Sequence, residues 1–346
     1  MHNKISLVSK ANLLVPVFIW ILNACNGLQE PAPKLNSQYI VYNSPDHQIY
    51  AVDIYSRNGP RKLANGFSPT FSPVELKVAF YNDSLRSGVR LFILDLFENN
   101  PVELVTISKP PRIRYLADAK WSHAGTKIAY NSQKQGTMEL YVYDLLEKRE
   151  TKLNGARGFA PEWSYDDRKI SFWTLVNELY MVAIINADGT GLRIIDLGGI
   201  PSPAKWLPDG RLVCTIRPFS ESQNPSYTDV LIFREDGSER VQITNDHRSH
   251  FFGVYDERTI ITATTSALDS STRFDLIDLH TLGRKEWVTI EKSVSPVVSP
   301  DNQWIGYVAL ERRSFPLPIY IIHTETRERR KIAENAYIGL SWSKRF

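Results

Sequence analysis

One short phrase returns along the chain about every 44 residues, and a chain written this way folds first as an array of like units. The phrase is an aromatic residue or Val, then Ser or a near substitute, a tight turn, a strand, a loop and a second strand. It reads "FSPVELKVAF" from Phe71, "WSHAGTKIAY" from Trp121, "WSYDDRKISF" from Trp163, "WLPDGRLVCT" from Trp206 and "VSPDNQWIGY" from Val298. A degraded copy, "VYDERTIITA", starts at Val254, so the steps between first residues are 50, 42, 43, 48 and 44. No unit of this size buries its own apolar face, so each must stack on its neighbours.

Within a unit the pattern predicts four short strands. Asp-Gly, Asp-Asn and Ala-Gly at the first corner tolerate the positive φ of a tight hairpin, which lets strands one and two meet antiparallel. The third strands align as "IYAVD" (Ile49), "LFILD" (Leu91), "LYVYD" (Leu140), "LYMVA" (Leu179), "VLIFR" (Val230), "FDLID" (Phe274) and "IYIIH" (Ile319), which is seven copies. Their apolar and β-branched content suits strands covered on both faces, and no long window carries the 3.6-residue period of a helix. The expected fold is therefore all-β, a seven-bladed β-propeller of four-stranded antiparallel blades. The first unit, from Tyr39, lacks a strand one, and the chain ends on an orphan one, "YIGLSWSKRF" (Tyr337 to Phe346). Pairing the two segments closes the ring and hides two sheet edges that would otherwise invite association.

The phrase "W-S-P-D-G-x-x-I-A-F", with returns such as "NADGTGLRIID" and "REDGSERVQIT", resembles the WD-like repeat of the TolB-type β-propellers. The resemblance runs from about Tyr39 to the end and implies the fold. It does not imply a role in the Tol system: TolB carries a small α/β domain before its propeller, and the stretch between Gln29 and Gln38 cannot form one. The same repeat builds scaffolds, peptidase domains and sugar lyases, so function has to be argued from a site.

Lys4 and Lys10 precede an apolar run from Leu13 to Leu22 that is too short to span a bilayer and has the shape of an export signal. It leads into Leu22-Asn23-Ala24-Cys25, which resembles a bacterial lipobox and implies diacylglycerol transfer to Cys25. The expected organisation is a lipoprotein-type signal peptide over residues 1–24, a polar tether over 25–37 and the propeller over 38–346. That places the protein in the bacterial cell envelope, lipid-anchored on the periplasmic or surface side, with Asn26 favouring the outer membrane. The other cysteine, Cys214, falls in the strand slot of Phe80, Tyr130 and Phe172 and reads as a small buried residue, so no disulfide is expected. The formal charge is +3, and no basic stripe suggests nucleic acid.

In a propeller the loops from strand two to strand three and the joins from strand four to the next blade open on one face. The long segments of this chain fall there, so that face is the expected binding surface. Arg112, Arg114, Tyr115, Arg157, Phe159, Arg248, Phe251 and Tyr337 are placed near its centre, with Arg217, Arg312 and Arg313 further out. Arginine with aromatics is the composition of protein interfaces and of carbohydrate or carboxylate sites.

Few residues suggest chemistry. His247 and His250 form an H-x-x-H pair on a join expected to be exposed, the weak candidates for a metal site. His323 takes a third-strand position held elsewhere by Asp53, Asp95, Asp144 and Asp278, whose carboxylates are expected to cap turns. It leaves by the opposite face, so convergence on one cation is not expected. No G-x-S-x-G elbow or phosphate loop is present. The expected function is a monomeric scaffold for an envelope protein or glycan, with no catalytic residue and no cofactor. The alternative is a metal-dependent polysaccharide lyase of the oligogalacturonate type, because some propeller lyases use a histidine cluster with a metal.

Overall fold

The computed structural model describes residues 37–346 except 85–87, 99, 109–117, 134–135, 225–226, 267–270, 292, 312–315, 338 and 345–346. The leader, the tether up to residue 36 and Cys25 lie outside the described residues, as do Arg112, Arg114, Tyr115, Arg312 and Arg313.

The strands run β1 (Tyr39–Asn43), β2 (Gln48–Asp53) and β3 (Arg61–Asn65), then β4 (Phe67–Phe71), β5 (Lys77–Ser84), β6 (Gly88–Asp95) and β7 (Val102–Ser108). The third blade holds β8 (Ala119–Trp121), β9 (Lys127–Ser132), β10 (Glu139–Asp144) and β11 (Arg149–Arg157), and the fourth β12 (Phe159–Trp163), β13 (Lys169–Val176), β14 (Leu179–Asn186) and β15 (Arg193–Ile195). In the fifth, the inner strand is split into β16 (Gly199–Pro201) and β17 (Lys205–Trp206), followed by β18 (Leu212–Pro218), β19 (Asp229–Phe233) and β20 (Val241–Gln242). The sixth holds β21 (Ser249–Val254), β22 (Thr259–Thr265), β23 (Thr272–Asp278) and β24 (Arg284–Ile290), and the seventh β25 (Ser293–Val298), β26 (Trp304–Ala309), β27 (Leu317–His323) and β28 (Arg329–Ala336). The last strand, β29 (Leu340–Trp342), pairs with β1 to complete the first blade. Seven sheets result, and every strand pair in them is antiparallel, as the repeat predicts.

Closure is made by several bonds. Ile40 stands opposite Trp342 and Tyr42 opposite Leu340. Ser343 N donates to Tyr39 O at 2.8 Å, and Tyr39 N donates to the Ser343 hydroxyl at 2.8 Å. Trp342 also ties its blade to the next one, its indole donating to Val297 O at 3.1 Å. Trp121 to Thr70 O (3.2 Å) and Trp163 to Lys120 O (3.0 Å) repeat that bond, so these three tryptophans are inter-blade clamps as well as core, whereas the buried indole N–H of Trp206, in the same place in the fifth blade, has no acceptor among the described residues. A buried indole N–H without an acceptor is costly, and at Trp121, Trp163 and Trp342 an inner-strand carbonyl of the neighbouring blade supplies one.

Blade interiors repeat one cross-strand pair. Tyr42 and Tyr50, Phe80 and Phe92, Tyr130 and Tyr141, and Tyr307 and Tyr320 stack with centroids 5.6 to 6.0 Å apart. Cys214 fills the same slot, fully buried opposite Leu231, and its thiol is pushed up by burial. In the sixth blade the slot is polar instead, Thr262 opposite Asp275. Glycines stand where strand one leaves the join: a Cβ on Gly66, Gly158 or Gly199 would run into the carbonyl of Tyr81, Trp173 or Arg217 on the neighbouring strand.

One alignment is corrected. Phe172 pairs with Ala183 and Ile170 with Ile185, so the fourth blade's third-strand repeat unit is Val182–Asn186 and not the five residues from Leu179. Leu179 and Tyr180 extend the hairpin past the blade, around a two-residue turn with Asn177 and Glu178 both at positive φ. That turn matches the right-handed twist of the strands.

Candidate functional site

The residue before each inner-strand aromatic or Val is, in chain order, Thr70, Lys120, Glu162, Lys205, Gly253, Val297 and Ser341, and all but Thr70 line two cavities between the inner strands. Lys120, Glu162, Lys205 and Gly253 line one axial cavity of about 300 Å³, and Lys205, Gly253, Val297 and Ser341 a second of about 560 Å³. One wall is charged and the other is small and neutral. Lys120 Nζ lies 3.3 Å from Glu162 and 3.8 Å from Asp118. Those carboxylates push the Lys120 ammonium up, Glu162 most, against the opposing effect of burial. Burial raises the Glu162 carboxyl, but Lys120 and Lys205 outweigh it and hold it below the usual carboxylate range, whereas Asp118 is pushed up by burial.

At the rim of the loop face, between the fifth and sixth blades, is a more elaborate arrangement. The join carrying His247 and Arg248 is held by two carboxylates. Asp246 accepts from the backbone N–H groups of Arg248 (3.1 Å) and Ser249 (3.0 Å), from the Ser249 hydroxyl (2.8 Å) and from Arg284 (2.6 Å). Arg284 in turn binds the buried Asp275 through Nε at 2.9 Å and a terminal nitrogen at 2.6 Å. On the other side Asp229, 4% exposed, accepts from the Thr244 hydroxyl (3.0 Å), from His247 N (3.1 Å) and from Gln242 (3.3 Å), and meets His247 Nδ1 at 2.8 Å.

This frame decides what His247 offers. Its backbone sits at φ 58°, a left-handed conformation that a non-glycine residue adopts when its surroundings over-determine it. Its ring lies flat on Tyr227, centroids 4.2 Å apart and planes 13° apart. The carboxylate at Nδ1 fixes the proton there, so in the neutral ring Nε2 is an acceptor at the half-exposed edge. Arg248 beside it is exposed, and no hydrogen bond or ion pair ties down its guanidinium among the described residues.

His250 does not join it on the exposed join as expected. It is the second residue of β21, partly buried, with Nε2 3.4 Å from the Thr228 hydroxyl, and burial holds its ring below the usual histidine range against the opposing pull of Asp246. The two histidines are thus engaged by different partners. Among the described residues no group of three or more His, Cys, Asp or Glu is placed to hold a metal ion.

The other expected face residues separate. Arg157 is exposed at the end of β11. Phe159 packs edge-on against Trp173 (5.5 Å) and Tyr180 (6.0 Å), an aromatic cluster continued by exposed Leu175 and Leu179. Phe251, placed at the mouth by its sequence position, instead packs on the fifth and sixth blades' core beside Val213, Val230 and Ile260, its N–H donating to Thr215 at 2.9 Å. A bulge after Phe251 turns the side chain inward. Tyr337 is half-buried, its N–H bonded to Asn43 O at 2.9 Å. Arg217 is partly buried at the end of β18.

The third-strand carboxylates cap turns, as the sequence suggests: Asp53, Asp95, Asp144 and Asp278 each accept a backbone N–H from two residues on, at 2.9 to 3.0 Å. His323 does the same with a ring nitrogen, Nδ1 lying 3.3 Å from Glu325 N and 3.2 Å from Thr326 N.

No family model and no curated sequence matches the chain. Solved structures do. TolB from Acinetobacter baumannii is 15% identical over 89% of this chain and 83% of its own, with a TM-score of 0.57. An oligogalacturonate lyase in complex with manganese is 11% identical, covers 87% and 86%, and scores 0.63. The propeller domain of the Trilobed protease from Pyrococcus furiosus is 17% identical, covers 77% and 82%, and scores 0.54. Identities this low carry the fold and leave the activity open. With seven four-stranded blades closed by β29 on β1, the chain is a seven-bladed β-propeller, similar in fold to TolB.

Proposed function

We propose that the protein is a binding scaffold of the bacterial cell envelope, holding an envelope protein or a glycan on its loop face and performing no covalent chemistry. One observation carries this reading. The join from residue 245 to 249 is braced by Asp229 on one side and by Asp246 with Arg284 on the other, so His247 and Arg248 are presented on a rigid frame. Preorganised polar groups on a rigid scaffold bind without further ordering cost. Arg157, Phe159 and the exposed leucines next to them extend the same face with a mixed apolar and cationic surface.

The His247 and Asp229 pair also supports a second reading, a sugar lyase in which Nε2 takes a proton beside a carboxylate. The two are separated by incubating the protein with a uronate oligosaccharide and manganese. The scaffold reading expects no unsaturated product; product formation lost in His247→Ala would replace it by the enzyme.

We further propose that Cys25 carries a lipid anchor, on the strength of the apolar run and the Leu22 to Cys25 motif. Cys25→Ser should stop diacylglycerol labelling and release the propeller from the membrane fraction. An unchanged mature mass with continued membrane partition would contradict it. Among the described residues no helix is long and apolar enough to cross a membrane.

A further inference from the structure

The face opposite the long loops carries apolar side chains that neither the blade cores nor the loop-face reading uses. Each stands in a corner turn: Tyr55 in the first blade, Val74 in the second, Leu146 in the third, Tyr165 in the fourth and Leu282 in the sixth. All are exposed, Leu146 to 75%. The turns themselves are fixed. Tyr55 N donates to Asp53 at 3.0 Å, Leu146 N to Asp144 at 3.0 Å, Val74 N to the Ser72 hydroxyl at 3.3 Å and Leu282 N to Asp278 O at 2.9 Å. The Tyr165 ring lies on that of His123, centroids 4.6 Å apart. A turn tied in this way does not fold its tip back onto the core, so the apolar surface stays in water until something outside the blade covers it.

Two features identify the cover. The tips stand one to a blade around the ring, too dispersed for the packed centre of a protein interface but all on one face, as contact with a flat, yielding surface requires. The chain also enters the propeller at this face. The Ser37 hydroxyl donates to Asp53 at 3.2 Å and Ile54 N donates to Gln38 O at 2.9 Å, so the first described residues lie against the turn that carries Tyr55. Ser37 comes twelve residues after Cys25, and a chain of that length spans at most about 43 Å. A lipid on Cys25 therefore keeps the corner face within that distance of the bilayer, where tethering makes individually weak contacts count.

Charge fits the same surface. Exposed Arg57, Lys148 and Lys285 follow Tyr55, Leu146 and Leu282 by two or three residues, and among the described residues none of the three has a hydrogen bond or ion pair. Tyrosine and leucine flanked by cations is the composition that settles in the headgroup layer, the cations meeting anionic lipid.

We propose that the corner face rests on the membrane interface, its apolar tips in the headgroup layer and the loop face turned to the aqueous side. This rests on Cys25 being the anchor point. The test uses the protein extracted from membranes and reconstituted in vesicles of phosphatidylethanolamine and phosphatidylglycerol. A thiol-reactive fluorophore is introduced through Leu146→Cys, through Leu282→Cys or, on the loop face, through Leu175→Cys. Cys214 is fully buried and stays unlabelled, and Leu175 is an exposed leucine like the other two, so the positions differ in face and not in kind. Lipids with a nitroxide on the acyl chain should quench positions 146 and 282 at least about twofold more than position 175, and iodide in the water should rank them the other way. Equal lipid quenching at all three, or stronger quenching at 175, overturns the proposal. So does a position 146 shielded from iodide yet untouched by the lipid quencher, because a protein would then cover the face. Mass spectrometry of Cys25 separates the two readings: an unlipidated cysteine removes the anchor and this proposal with it, whereas a lipidated one with unquenched corner positions removes this proposal alone. Should Leu146→Cys not fold, Leu282→Cys decides.

Discussion

Deleting Tyr337–Phe346 should lower the melting temperature by at least about 10 °C and drive the protein into aggregates, because the ring then has no closing strand. Trp342 is 8% exposed among Ile40, Tyr42, Trp304 and Ile319. Losing a core tryptophan alone costs about 3 to 5 kcal/mol, against a typical total stability of about 5 to 15. The truncation also removes the Val297 clamp and the bond from Phe71 N to the Ser341 hydroxyl at 3.1 Å, so both neighbouring blades lose contacts. Differential scanning calorimetry of the full and shortened chains checks this. A soluble truncation that melts with the parent would mean that the ring closes without β29.

Arg284→Met should be the most damaging single exchange at the candidate site. It leaves Asp275, 2% exposed, with Arg273 as its remaining ionic partner at 3.1 Å, and frees Asp246 from its main brace. Breaking a buried ion pair on one side costs about 3 kcal/mol or more, which in a domain of about 310 residues lowers the melting temperature by about 5 °C or more. Pairing the exchange with Asp275→Leu should recover most of the loss, since the buried charge, by then held only by Arg273, is gone. The loop should report it too: the N–H groups of Arg248 and Ser249, both donors to Asp246, should exchange with solvent faster. The variant should also respond less to acid. Burial raises the Asp246 carboxyl, but the hydrogen bonds from Arg284, Ser249 and Arg248 N outweigh it and hold it low. A depressed carboxyl stabilises the fold above its unfolded pKa and loses that contribution as pH falls through the folded value, so without Arg284 less is left to lose. Unchanged melting and unchanged exchange would show that the cluster does not hold the join.

The architecture was legible because it is written seven times. The spacing of Trp121, Trp163 and Trp206 sets the blade count, and the orphan strand at Trp342 sets the closure. The slipped alignment at Leu179 has a local reason: the hairpin of the fourth blade is longer than its sisters, and an apolar extension reads like the strand it prolongs. Face residues were harder, because side-chain direction in an inner strand depends on a bulge that leaves no mark in composition, as Phe251 shows. Asp229, Asp246 and Arg284 were missed because each is an ordinary polar residue until the fold brings it to the join. Asp275 did leave a signal: it is a charge in the slot where Tyr50, Phe92, Tyr141 and Tyr320 stack, and a broken repeat on a buried strand marks a place where the chain serves something besides packing.

The measurement that most directly tests binding on the loop face is photo-crosslinking in intact cells, with a crosslinking residue at Arg248 in one variant and at Leu282 in another. Leu282 is 47% exposed on a corner of the opposite face. The account predicts a discrete macromolecular adduct from position 248 that is absent at 282. An adduct formed from 282 and not from 248 would contradict it.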